Sequence, residues 1–93
     1  MKNIVNDLWL KSLKTHLEQY LYWQMEATEN MLNGDFSSIL PQTFMTEKMF
    51  QISKYRNLLG DKAEGLNWHR IYQEASEKAR KNFLDQKVLS DEQ

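Results

Sequence analysis

Ninety-three residues carrying twelve Lys and Arg against thirteen Asp and Glu give a net charge of −1, with both signs interspersed along the chain. That balance supplies no long-range field to gather a polyanion or an anionic lipid surface. The absence of cysteine removes disulfides, thiolate catalysis and cysteine-based metal sites in one step.

Composition is uniform and no linker divides the chain, so residues 1–93 are expected to form one helical domain, with 88–93 a frayed tail. A chain this short hides only roughly 60 to 65% of its unfolded surface, which makes pairing a natural way to enlarge the core. Near the start, only Lys2 precedes an apolar stretch that Asn6 and Asp7 interrupt, a pattern unlike a secretory signal. Apolar runs such as Leu8-Trp9-Leu10 fall far short of the ~20 residues that cross a bilayer. The expectation is a cytoplasmic protein that does not engage a membrane.

The spacing predicts a first helix over 4–32, a stretch without Pro or Gly. Leu10, Leu13, Leu17, Leu21, Met25 and Thr28 recur at intervals of three and four residues. Trp9, Leu13, His16, Tyr20, Trp23 and Ala27 form a second row beside them, so this helix should touch more than one neighbour. At 1.5 Å per residue it would extend about 43 Å, against about 30 Å for a compact globule of this chain length, and it must overhang or bend.

Asn33-Gly34-Asp35 should end the first helix through a left-handed cap, and Pro41 is expected to keep the preceding residues out of helix. The connector over 33–42 is apolar at Phe36, Ile39 and Leu40 and is expected to pack as a turn of 3₁₀ helix. A second helix over 43–59 would take Thr43 or Thr46 as its cap and Gly60 as its stop. Its expected stripe is Met45, Met49, Ile52, Tyr55 and Leu59, with Phe44, Phe50 and Leu58 outside it.

A third helix could begin at Lys62, after Asp61 and Glu64 at capping-box spacing, or over 67–86 with Asn67 as cap, and the later start is preferred. Trp68, Tyr72, Ala75, Ala79 and Phe83 form its stripe, the two alanines marking a close approach by a neighbour. Glu74 with Lys78 and Glu77 with Lys81 stand at i,i+4 on the solvent side. The fold expected is all-α, either a three-helix bundle or a long helical hairpin with a third helix.

No catalytic, cofactor or metal constellation emerges. His16 and His69 are the only histidines, and neither Glu-x-x-His nor His-x-x-x-His occurs. His16 reads as a half-buried side chain bonding its own helix or a carboxylate, and His69 as a capping or surface residue. The isolated Gly34, Gly60 and Gly65 build no phosphate cradle.

The leading expectation is a non-enzymatic protein that works as an adaptor, assembly factor or inhibitor. It would bind another protein, itself as a homodimer, or both. Trp9, Tyr20, Trp23, Met45, Met49, Phe50 and Tyr55 are the candidate contact residues, because aromatics and methionines concentrate at protein interfaces. The alternative is a small DNA-binding regulator resembling a helix-turn-helix, in which Arg70, Gln73, Lys78, Arg80, Lys81 and Asn82 would face the nucleic acid. Glu74 and Glu77 on the same helix would oppose phosphates, so nucleic acid is not the expected partner. A small enzyme using His16 or His69 ranks third.

Overall fold

A computed structural model describes the backbone of residues 2–37 and 39–91 and the side chains of 4–37 and 39–88. Three α-helices, α1 (Lys2–Leu32), α2 (Ile39–Leu59) and α3 (Trp68–Asp91), follow one another, with a 3₁₀ turn at Gly60–Ala63 between the second and third. Helix α1 packs against both others, which makes it the spine of a three-helix bundle. No Cα of α2 comes within 8 Å of a Cα of α3 among the described residues. The two outer helices therefore meet α1 without closing on each other.

Helix α1 overhangs, as its length requires. Its 31 residues extend about 46 Å, and the molecule measures 47 × 25 × 21 Å. The radius of gyration is 15.2 Å, against about 12 Å for a compact domain of this length. The helix ends in a Schellman arrangement: Gly34 donates to the Met31 carbonyl at 3.0 Å and Asp35 to the Asn30 carbonyl at 2.7 Å. That closure requires a left-handed residue, and Gly34 supplies it at φ 88°.

Helix α2 starts four residues earlier than Thr43, and Pro41 lies buried in its first turn. Proline is tolerated there because the first turn's amides have no intrahelical acceptor to lose. Thr43 and Thr46 are not caps. Their hydroxyls donate back to the carbonyls of Ile39 at 2.8 Å and Gln42 at 3.0 Å. The apolar connector also departs from expectation: Phe36, Ile39 and Leu40 are exposed rather than packed.

Helix α2 keeps most of its expected stripe, with Met45, Ile52 and Tyr55 half-buried and Leu59 buried. Phe44 stacks on Trp23 with ring centroids 4.6 Å apart, whereas Met49 faces water. At the other end Leu13, Leu59 and Ala63 form a buried cluster, with Trp9, Leu10, Ile52, Tyr55, Leu66 and Trp68 packed around it.

Helix α3 takes the later start, with Asn67 as cap: its side-chain oxygen accepts from the Arg70 amide at 3.1 Å. The indole of Trp68 donates to the Ala63 carbonyl at 2.8 Å and ties down the intervening loop. Ala75 and Ala79 are buried against Leu21 of α1, with Leu17, Tyr20, Tyr22 and Met25 around them. Two methyl-sized side chains let the helix axes come close. Ile71 is buried where Tyr72 was expected, and Tyr72 lies outside the core.

Lys78 pairs with Glu18 of α1 at 3.5 Å instead of with Glu74, which receives Arg70 at 3.0 Å. The expected tail is helical as far as Asp91, and residues 92–93 lie outside the described residues.

Candidate protein-interaction surface

The seven candidate contact residues do not share one face. Trp9 and Tyr55 pack against the Leu13 cluster, and Tyr20 against the Leu21 cluster. Trp23 is held between Phe44, stacked at 4.6 Å, and Tyr22, edge-on at 5.3 Å. Met45 is half-buried. Met49 and Phe50 alone among the seven stand exposed, Phe50 to 71% of its surface.

His16 and His69 occupy separate surroundings. The His16 ring stacks on Tyr55 at 5.7 Å, and its Nδ1–H donates to the Ser12 carbonyl at 2.7 Å. That bond to its own helix is one of the two roles expected of it. His69 is exposed in the first turn of α3. Among the described residues no three His, Asp or Glu side chains approach one another as metal ligands would, and no helix is long and apolar enough to cross a membrane.

A run of exposed apolar residues lies where α1 turns into α2. Leu32, Phe36 and Ile39 are exposed to 82%, 75% and 76%, with Met31 and Leu40 beside them in sequence. The turn itself is ordered by Asp35, whose Oδ1 accepts from the Ser37 amide at 3.0 Å and the Ser37 hydroxyl at 2.6 Å. Those two donors hold the Asp35 carboxyl below the ordinary carboxylate value. Only Phe36, Ile39 and Leu40 stood out here from sequence, and their exposure was not foreseen.

On the α3 side an open cleft of about 390 Å³ is lined by Gln24, Met25, Thr28, Glu29, Leu32 and Phe83. Glu29 of that lining pairs with Lys87 at 2.9 Å. The hydrogen bond to Glu29 raises the Lys87 ammonium above its ordinary value, against a smaller effect of desolvation. Nearby, the Tyr22 ring meets Phe83 at 6.1 Å. Its phenol is raised first by burial and then by the Glu26 carboxylate, while Lys87 works in the opposite direction.

The outer side of α2 carries a further run. Ile39, Thr43, Thr46, Phe50, Ser53 and Asn57 are all exposed and none is charged, whereas Pro41 and Leu59 are buried and Phe44, Met45, Lys48, Ile52 and Tyr55 are half-buried. Helix α3 differs: its exposed positions include Arg70, Glu74, Glu77, Lys78, Arg80, Lys81 and Asp85. Apolar contact and little charge are what the outer side of α2 offers. Comparison with known protein families, with curated proteins and with solved structures finds no match.

Proposed function

We propose that this chain is a non-enzymatic protein-binding module, acting as an adaptor, assembly factor or inhibitor through apolar helix surface centred on α2 and the α1–α2 corner. One observation carries the reading. The accessible surface is 7101 Å², about 1,400 Å² more than the roughly 5,700 Å² of a folded monomer of this mass. A standard protein interface takes about 800 Å² from each partner, so covering one face would remove much of that excess. Exposed apolar groups grouped along a surface are where such a cover gains most, since burying them is favourable by about 25 cal/mol per Å².

The DNA-reading alternative gains no comparable support, because α2 and α3 are separated by the Gly60–Ala63 turn and do not pack together along their lengths.

Light scattering of the purified chain, alone and mixed with candidate partners, tests the proposal. The expected result is a mass above that of one chain, lost when Leu32 and Phe50 are both replaced by Asp. A strict monomer that gains mass with no protein, yet shifts a labelled duplex at low salt, would sink it in favour of nucleic acid.

A further inference from the structure

We infer that the occupant of the outer face of α2 is a second copy of the same helix, running antiparallel; this rests on the protein-contact reading above. Ile39, Thr43, Thr46, Phe50, Ser53 and Asn57, all exposed, follow one another at alternating intervals of four and three residues. That is the spacing of a heptad seam, filled here by two large apolar side chains, Ile39 and Phe50, and by four small polar ones. The face turned away from α1 thus repeats the period of a helix–helix contact over about 27 Å of axis, without a charge on it.

The two threonines on the face do not forbid burial. The Thr43 and Thr46 hydroxyls are already bonded to carbonyls of their own helix. Covering these two side chains leaves neither hydroxyl donor orphaned.

Charge decides the direction. Flanking the seam on one side are Leu40, Glu47 and Lys54, and on the other Gln42, Met49 and Arg56, every one exposed. In a parallel pair, opposite flanks meet, which sets Gln42 against Glu47 and Met49 against Lys54 and makes no opposite-charge pair. In an antiparallel pair like flanks meet. Glu47 of each copy then lies opposite Lys54 of the other, giving two reciprocal ion pairs about one two-fold axis, as an isologous dimer requires.

The same register sets each Phe50 ring against the small Ser53 of the other copy, so large meets small across the seam. The alternative antiparallel register, one seam position along, would put Glu47 against Glu47.

Sedimentation across a concentration series, with circular dichroism to monitor helix content, tests the pairing. The full chain is expected at twice its own mass, and Phe50→Asp as a fully helical monomer, since that ring supports nothing inside the fold. Glu47→Lys and Lys54→Glu alone should each weaken the dimer about tenfold, because two exposed pairs turn repulsive. The two exchanges together should restore it.

A monomer at all concentrations up to about 1 mM overturns the inference, as does a dimer indifferent to Phe50→Asp. Single charge exchanges that leave the dimer unchanged, or a double exchange that fails to restore it, overturn the antiparallel register. A monomeric chain whose complex with a different protein is lost on Phe50→Asp removes the second copy while leaving the protein-contact reading in place.

Discussion

Tyr22 sits on the seam between α1 and α3, touching Phe83 edge-on and Trp23 on its own helix. Burial first and the Glu26 carboxylate second raise its phenol above the ordinary 10.0. A raised value in the folded state means the neutral form is favoured there, so the contribution is whole below about pH 10 and is lost as the pH climbs through the folded value. Lys87, raised by its hydrogen bond to Glu29, loses its contribution in the same direction. Thermal melting against pH should show the parent chain and Tyr22→Phe running in parallel at neutral pH. Above about pH 10 the parent should fall away faster, and curves that stay parallel there would contradict the burial of the phenol.

Individual residues also mark the limit of sequence reading. Asn67 was legible because it has one dominant local role, a cap, whereas the sequence left His16 with either its own helix or a carboxylate as partner. The aromatics of α1 were not. Trp9, Tyr20 and Trp23 lie on a helix that is apolar around most of its circumference, so periodicity alone cannot say which ring meets which neighbour.

At the scale of elements, α1 and α3 could be placed from sequence because Gly34 and Asn67 mark their ends. Helix α2 was misplaced at its start because Pro41 reads as a break unless it falls in a first turn, and nothing in the sequence distinguishes the two cases. Its stripe was legible at Met45, Ile52, Tyr55 and Leu59 but not at its edge, where Phe44 stacks on Trp23 and Met49 is exposed. The exposed corner at Leu32, Phe36 and Ile39 was hidden by the ordinary presumption that apolar connector residues find cover.

The contact between α1 and α3 depends on small side chains. Ala79 is fully buried against Leu21, and there is no room for a larger group without pushing the helices apart. Ala79→Leu should destabilise the chain by about 1 to 3 kcal/mol in urea unfolding. Lys81→Leu, on the exposed side of the same helix, should shift it by less than about 0.5 kcal/mol. Equal effects from the two would mean that the close approach does not exist.

For the whole molecule, elongation and excess surface belong together. A spine that spans the full 47 Å length, with one partner helix on each flank, cannot bury as much per residue as a globule. The charge balance and lack of cysteine, read first, restrict chemistry but say nothing about which faces remain open. That information arises only when three helices of fixed length are laid against one another.

Because α2 and α3 converge near Leu13, where the Arg56 guanidinium lies 5.4 Å from the Trp68 ring, and otherwise keep apart, the protein is hinged like a book with two covers on one binding. Either cover can lift at its free edge without disturbing the other, so amide hydrogen exchange should resolve two separate openings, one around Phe44 and one around Phe83. The slowest amides should lie beside Leu13, and whatever seals the α2 cover should slow its exchange while leaving that of α3 untouched.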